Sequence, residues 1–257
     1  MKRAIITGAT GFVGVHLAEE LISRAVEVIA ITRTESAHID RLPEAVTVIN
    51  CGLDDYDQLL KRVKNEKPDV FYHLAWEGIS WSECGRTNAF VQIQNVRRTL
   101  YALQAAKEAN CLKFVAAGTA SENYHTQIAR ASGFRDIAFY ALSKKYVRDM
   151  ARQFSFQLGI DFTWCTFGHP VGRYLKQDLL FTYAVHSLLN GDSPTFGSGK
   201  NWTDVIHIKD LAVGLYLAGE QKLSKTDYHI GSGEPRVLKD YLTELITGEN
   251  KLLPCFP

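Results

Sequence analysis

Two short segments of this chain carry groups that could do chemistry, and the first is a tyrosine–lysine pair. Tyr140 and Lys144 are four residues apart, so on a helix the phenol and the ammonium share one face. That face continues through apolar residues to Leu158, which places the pair at the head of a core-facing stripe. A cation beside a phenol favours the phenolate and lowers a pKa that starts at about 10. Tyr140 is therefore a candidate general acid–base; the alternative is a core tyrosine with a snorkelling lysine.

The second segment is a glycine-rich turn that could bind a phosphate group. Gly8, Gly11 and Gly14 follow a short apolar run and open a helical stripe. Backbone N–H groups at a helix N-terminus attract anions, and glycine lets a phosphate approach closely. Any tight turn favours glycine, but the position between an N-terminal strand and an amphipathic helix favours the pyrophosphate of a dinucleotide. The predicted contacts are Gly8, Thr10, Gly11, Phe12, Val13 and Gly14.

The end of the second predicted strand bears on which dinucleotide binds. An acidic residue is usual there and contacts the ribose 2′-hydroxyl, but this chain has Thr32 followed by Arg33. Without the carboxylate a 2′-phosphate is not repelled, and an arginine can bind it through two hydrogen bonds. Thr32 and Arg33 therefore favour NADP over NAD as the cofactor, with NAD as the alternative. A solvated loop arginine is the other interpretation of Arg33.

The elements that must position these groups alternate along the chain. Short apolar runs predict strands at 4–7, 26–31, 46–49, 70–75, 114–117 and 162–166. Three- and four-residue spacing predicts helices at 56–63, around 88–109 and at 137–158. Strands that alternate with helices indicate an α/β fold, a Rossmann-like, doubly wound parallel sheet. Residues 1–166 are the predicted dinucleotide-binding domain.

After residue 166 glycine and proline become frequent and the segments shorten. Strands are predicted at 205–208 and 228–230, and helices at 210–220 and 238–247. We interpret residues 167–257 as a smaller substrate-binding lobe, interleaved with the first domain and short at its C-terminal end.

Composition excludes several classes of protein. The 257 residues carry 29 Lys and Arg against 28 Asp and Glu, a net charge of +1, so neither nucleic acid nor an anionic membrane is an expected partner. No run approaches the about 18 apolar residues of a membrane span. The five cysteines form no CxxC pair, and Cys51, Cys111 and Cys165 lie in or beside apolar runs typical of buried thiols. A reduced, cytoplasmic protein without a metal site is expected.

With these segments in hand, the chain resembles the extended short-chain dehydrogenase/reductase family, in its NAD-dependent epimerase/dehydratase branch that acts on nucleotide-activated sugars. His73-Leu74-Ala75-Trp76 is similar to the family's strand end beside the cofactor, and Asn95 matches the asparagine that supports it. The resemblance implies cofactor contacts at Leu53, Leu74, Ala75, Trp76, Asn95, Tyr140, Lys144 and His169, and a homodimer through the helices around 88–109 and 137–158.

The same resemblance implies a catalytic trio. Gly118–Glu122 is similar to the family's segment in which a hydroxyl polarises the substrate oxygen; Thr119 is that hydroxyl, with Ser121 as the fallback. Thr119 and Tyr140 would hydrogen-bond the sugar, Tyr140 would move the proton, and Lys144 would bind the nicotinamide ribose. The small-molecule substrate is expected to be a nucleotide-diphosphate sugar.

Departures from the family pattern narrow the reaction. Thr203 and His169 stand where the family has an arginine and an asparagine that contact the substrate and cofactor. The family's G-D-[LI] motif after the third strand is Cys51-Gly52-Leu53 in this chain. Thr119 is not followed by the acid pair of sugar 4,6-dehydratases, which disfavours dehydration. Epimerisation and 4-keto reduction remain, and a preference for NADP favours reduction. A dinucleotide-binding sensor without turnover is the alternative function.

Overall fold

A seven-stranded parallel sheet organises the chain in the computed structural model, which describes residues 1–79, 85–122, 138–176, 179–220 and 226–247. The strands are β1 (Arg3–Thr7), β2 (Glu27–Thr32), β3 (Thr47–Asn50), β4 (Val70–His73), β5 (Lys113–Ala117), β6 (Asp161–Phe167), β7 (His169–Val171), β8 (Trp202–Thr203), β9 (Val205–His207), β10 (Asp227–Ile230) and β11 (Arg236–Val237). In the main sheet they lie in the order β3-β2-β1-β4-β5-β6-β10, so the direction of winding reverses between β1 and β4.

Helices cover both faces of this sheet. They are α1 (Phe12–Ser23), α2 (Leu59–Val63), α3 (Ala89–Glu108), α4 (Ala138–Leu158), α5 (Leu180–Leu189), α6 (Ile208–Glu220) and α7 (Leu238–Thr247). One apolar layer joins the sheet to α2, α3 and α4, and a second joins it to α1 and α6. Strands buried on both faces carry nearly continuous apolar runs, and β1, β4 and β5 show this at residues 4–6, 70–72 and 114–117. The predicted α/β class with a Rossmann-like doubly wound sheet is confirmed.

Three predicted elements differ from the structure at their ends. The stripe at 56–63 divides into a 3₁₀ turn over Leu53–Gln58 and the short helix α2; Tyr56 and Leu59 are three residues apart, a spacing that also suits a 3₁₀ helix. β4 ends at His73 rather than at residue 75, because the backbone of Leu74 and Ala75 turns onto the glycine-rich turn. β9 ends at His207, and α6 begins at the next residue, Ile208, two residues before the predicted start of that helix.

The C-terminal part of the chain builds a smaller layer of its own. β7 pairs with β9, and β8 pairs with β11. Val171, Phe181, Val205 and Tyr241 pack together in a separate core cluster with neighbours from α5 and α7. β10, however, returns to the main sheet beside β6. The division at residue 166 thus stays a prediction, with one strand of the later segment seated in the first.

The carboxyl ends of the parallel strands share one edge of the sheet, and the predicted site residues follow those ends.

The thiols of Cys51, Cys111 and Cys165 are buried, as predicted, whereas Cys84 and Cys255 lie outside the described residues. Among the described helices, none combines the length and the apolar character that crossing a membrane requires.

Candidate active site

The turn between β1 and α1 is shaped by close backbone approach. Gly8 has φ +71°, and a Cβ there would lie 2.8 Å from the backbone nitrogen of Ala75. A Cβ on Gly14 would lie 2.2 Å from the carbonyl oxygen of Gly8. The Gly11 N–H donates to that same oxygen at 3.0 Å. Neither position can therefore accept a side chain without moving the backbone.

The same turn fits the pyrophosphate of a dinucleotide. α1 begins at Phe12, its N-cap Gly11 provides no side-chain hydrogen bond, and the first turn carries no acidic residue. The N–H groups at this end thus have no side-chain cap and their partial positive charge is not neutralised locally. Thr10 accepts a hydrogen bond from Ser36 at 3.1 Å, which brings the loop after β2 beside the turn.

The end of β2 presents the residues predicted to choose the cofactor. Thr32 is buried and its hydroxyl lies 3.4 Å from Oδ1 of Asn50 on β3, while Arg33 is exposed. The position at which a carboxylate would meet a ribose 2′-hydroxyl thus holds a neutral side chain, and a cation follows it.

Two buried amide side chains of α3 hold the loop after β4 through hydrogen bonds. Asn95 accepts from the backbone N–H of Glu77 at 3.0 Å and donates to its carbonyl at 2.9 Å. Gln92 accepts from the indole of Trp76 at 2.9 Å and donates to the carbonyl of Gly85 at 2.9 Å. The predicted supporting role of Asn95 has a direct structural counterpart, whereas nothing in the sequence pointed to Gln92.

His73, at the end of β4, is held as a neutral imidazole. Its Nδ1 lies 2.8 Å from the Thr7 hydroxyl and its Nε2 lies 3.0 Å from the Thr99 hydroxyl. Burial, aided by the charge of Lys144, lowers the pKa of His73 to about 3. The side chain therefore joins β1, β4 and α3 without carrying charge at neutral pH.

Thr119, Tyr140 and Lys144 are brought together where β5 ends against α4. The Thr119 side chain lies next to Tyr140. The Lys144 ammonium donates to the Ala117 carbonyl at 2.6 Å and lies 3.8 Å from the centroid of the Trp76 ring. Burial lowers the pKa of Lys144. Trp76, predicted as a cofactor contact, is itself buried and edge-on to Tyr140.

A second cation faces the phenol. The guanidinium carbon of Arg86 lies 4.8 Å from the centroid of the Tyr140 ring. Burial raises the pKa of Tyr140, while the Arg86 charge and the neighbouring Thr119 side chain lower it. The helical spacing predicts Lys144 as the cation that favours the phenolate; the structure adds Arg86, which no sequence pattern indicated.

A buried carboxylate also lies beside the trio. Glu122 has no exposed surface and accepts from the Thr119 backbone N–H at 2.7 Å and from the Trp164 indole at 3.1 Å. Arg148 lies 3.5 Å from its other oxygen. Burial raises the pKa of Glu122, opposed by these hydrogen bonds and by the charge of Lys144. The sequence shows this acid three residues after Thr119 but not that it would be buried.

Two positions that depart from the family pattern contact each other. The Thr203 hydroxyl lies 2.6 Å from Nδ1 of His169, and the His169 backbone N–H donates to the Asp204 carbonyl at 3.0 Å. Leu53, after β3, contributes its carbonyl to the guanidinium of Arg98 at 3.1 Å. These contacts account for His169 and Leu53 within the protein; their predicted contact with a cofactor stays a prediction.

Comparison with known proteins identifies the family. The model of the NAD dependent epimerase/dehydratase family matches residues 4–231. The chain belongs to this family. It is therefore an enzyme of the short-chain dehydrogenase type.

Individual relatives of this epimerase/dehydratase are distant. CDP-abequose synthase of Salmonella typhimurium is 24% identical over 262 residues, covering 97% of this chain and 81% of that protein. The structure of a UDP-glucose 4-epimerase from Thermotoga maritima with UDP-glucose has a TM-score of 0.82 at 20% identity, covering 99% of this chain and 85% of that one. The structure of a dTDP-glucose 4,6-dehydratase from Streptomyces venezuelae with NAD bound has a TM-score of 0.79 at 22% identity. The match covers 99% of this chain and 83% of that one. The structural likenesses show the shared fold.

The buried state of His73 predicts a pH dependence of folding stability. The unfolded chain takes up a proton at His73 below about pH 6.5, and the folded chain does so only near pH 3. Stability should therefore fall with acidification in this window, by about 1.4 kcal/mol per pH unit from this residue.

The test is urea unfolding at several pH values. The His73→Gln variant should lose less free energy of unfolding between about pH 6.5 and pH 4.5 than the wild type, because glutamine does not titrate. His38→Gln, at an exposed position, should keep the wild-type slope. An unchanged slope in His73→Gln would contradict the assignment of a neutral buried imidazole.

Proposed function

We propose that this chain transfers hydride on a nucleotide-activated sugar, by epimerisation or 4-keto reduction, with Tyr140 as the general acid–base. The observation that carries the proposal is that the Thr119 side chain lies next to Tyr140, beside Lys144, which donates to the Ala117 carbonyl, and at the same sheet edge as the glycine-rich turn. Relatives of this chain include a CDP-abequose synthase and a probable UDP-glucuronate 4-epimerase, and the structure of one UDP-glucose 4-epimerase with the same fold holds UDP-glucose.

The chemistry follows from the positions of two hydroxyls. Thr119 Oγ1 and Tyr140 Oη would both hydrogen-bond the reacting sugar oxygen. As phenolate, Tyr140 accepts the hydroxyl proton during oxidation; as phenol, it returns a proton to the oxygen during reduction. When bound, the nicotinamide cofactor supplies or accepts the hydride. Lys144, fixed by the Ala117 carbonyl, would hold the nicotinamide ribose.

Substitution of Tyr140 by phenylalanine tests the proton-transfer role. We expect Tyr140→Phe to lower kcat at least about 100-fold, the range for losing a general acid–base, while the fold is kept because only one oxygen is removed. The assay is a panel of nucleotide-diphosphate sugars and their 4-keto derivatives, followed by the absorbance of reduced nicotinamide and by product stereochemistry. Tyr101→Phe, on α3 beside Arg97, is the matched control. Wild-type turnover by Tyr140→Phe would contradict the role.

We further propose NADP as the preferred cofactor. The neutral Thr32 and the exposed Arg33 at the end of β2 support this preference. An arginine can bind a 2′-phosphate through two hydrogen bonds, and the threonine at position 32 does not repel that phosphate as a carboxylate would. Buried thiols at Cys51, Cys111 and Cys165 fit the reducing conditions of the cytoplasm, where we place the enzyme.

Thermal shifts with the two dinucleotides test this preference. Ligand binding to the folded state raises Tm by an amount that grows with the logarithm of the ligand concentration over Kd, so NADP should stabilise the wild type more than NAD at equal concentration. Arg33→Ala should weaken NADP binding about tenfold or more, a loss of about 1.4 kcal/mol, and leave NAD binding unchanged. Each variant is its own control, since only the 2′-phosphate differs. Equal or larger stabilisation of the wild type by NAD would overturn the preference.

We also propose a homodimer through α3 and α4. Both helices expose apolar side chains on their outward faces: Phe90 and Ile93 on α3, and Phe139, Tyr146 and Met150 on α4. The spacing of three, four and seven residues places each set on one side of its helix. Contiguous apolar surface of this kind is typical of a subunit interface.

Light scattering coupled to size-exclusion chromatography tests the dimer. Met150→Glu should give a monomer, because it places a charge in the apolar surface that the proposed dimer would bury. Phe156→Glu is the control: Phe156 is also exposed on α4, but its position is rotated away from Met150 by about one third of a helical turn. Dimers from both variants, or a monomeric wild type, would reject this interface.

A further inference from the structure

We propose that Arg86 is a positioning residue for catalysis, whose guanidinium lies against the phenol ring of Tyr140 and stabilises the phenolate form. This inference rests on the proposed role of Tyr140 as the acid–base. It adds a second cation, contributed by the segment after β4, to the one that the helix α4 itself supplies.

The placement of Arg86 is built into the fold. Its Nε donates to the Ile79 carbonyl, and its guanidinium carbon lies 4.8 Å from the Tyr140 ring centroid, within the range of a cation–π contact. The preceding Gly85 is held by Gln92, whose amide donates to the Gly85 carbonyl at 2.9 Å and the Gly78 carbonyl at 3.3 Å.

Two glycines make this placement possible. A Cβ on Gly85 would lie 2.3 Å from the Cα of Gly78, so the two backbone segments can meet only because neither carries a side chain. Gly78 also has φ +71°, which glycine adopts without strain. The Arg86 side chain is therefore aimed from a backbone that α3 fixes through Gln92.

Among the charges that the structure describes around Tyr140, Arg86 is the cation that lies over the phenol ring. In the described part of the chain, the charged groups around Tyr140 are Arg86 from the 85–87 turn, Glu122 from the segment after β5, and Lys144 from α4. Glu122 opposes ionisation of Tyr140, and the same carboxylate faces Lys144. His73, from β4, is neutral at pH 7.

Lys144 is also directed elsewhere by its contacts. Its ammonium donates to the Ala117 carbonyl at 2.6 Å and lies over the Trp76 ring. The nearby Glu122 carboxylate interacts with this ammonium, and its negative charge opposes the field of Lys144 at the phenol. Burial of Tyr140 opposes phenolate formation, so a cation on the ring face has a large effect in this setting.

The test removes the charge and measures the phenol directly. Tyr140 ionisation is read from the near-ultraviolet tyrosinate absorbance of each protein minus that of the same protein carrying Tyr140→Phe. We expect Arg86→Met to raise the apparent pKa of Tyr140 by about 1 or more, and Arg86→Lys to restore most of the wild-type value. Arg97→Met is the matched control: Arg97 lies over the Tyr101 ring at 5.3 Å, away from the site.

The second readout is the pH dependence of kcat for sugar oxidation. The acid limb, where the phenol must lose its proton, should move to higher pH in Arg86→Met, with about tenfold lower kcat near pH 7. Arg86→Lys should bring the limb back, and Arg97→Met should not move it. Arg86→Lys keeps the positive charge, so it still tests the inference if Arg86→Met does not fold. The acid limb of its pH profile is then expected close to that of the wild type.

The outcomes separate this inference from the proposed function. A shifted Tyr140 titration without turnover of any sugar supports the phenolate contact and counts against the sugar reaction. An unshifted titration and an unshifted limb in folded Arg86→Met overturn the inference. A raised KM with the limb in place also overturns it, because the guanidinium would then bind substrate rather than act through Tyr140.

Discussion

The contact on which the rest of the site depends is the backbone approach of the glycine-rich turn to the segment after β4. Gly8 leaves no room for a side chain beside Ala75, and that places the ends of β1 and β4 against each other at the point where the sheet reverses its winding. From there the order is carried outward by hydrogen bonds: Asn95 and Gln92 of α3 hold the next residues of the segment. The glycine-rich turn and Tyr140 are thus parts of one connected framework.

Charge burial is the main energetic cost of this arrangement. Lys144 and Glu122 are 4% and 0% exposed, and an isolated ion at such a depth would lose several kcal/mol of hydration. The cost is offset because each lies near the other and each has further partners: the Ala117 carbonyl and two indole rings for Lys144, and the Thr119 N–H and Trp164 indole for Glu122. A pair held in this way is poor at simple stabilisation and well suited to fixing one geometry.

Much of the fold could be predicted from the sequence because its signals are local. The apolar runs of β1 and β5 and the apolar stripe along α4 can each be recognised within one short stretch of sequence. The glycine-rich turn and the Tyr140–Lys144 pair are likewise short patterns. Arg86 and Gln92 could not be found in this way, because their partners lie elsewhere in the chain and are joined only by tertiary packing. The sequence predicts an α-helix where the 3₁₀ turn before α2 lies, because the apolar spacing there is compatible with both kinds of helix.

The contact between His169 and Thr203 has a consequence for how this site can change. Both residues depart from the pattern of the family, and they hydrogen-bond each other at 2.6 Å. Exchanging either one alone would leave the other without its partner, so the two positions are energetically coupled rather than independent. The cost of exchanging one of them therefore depends on which residue occupies the other position. The two are best treated as one unit, kept or exchanged together.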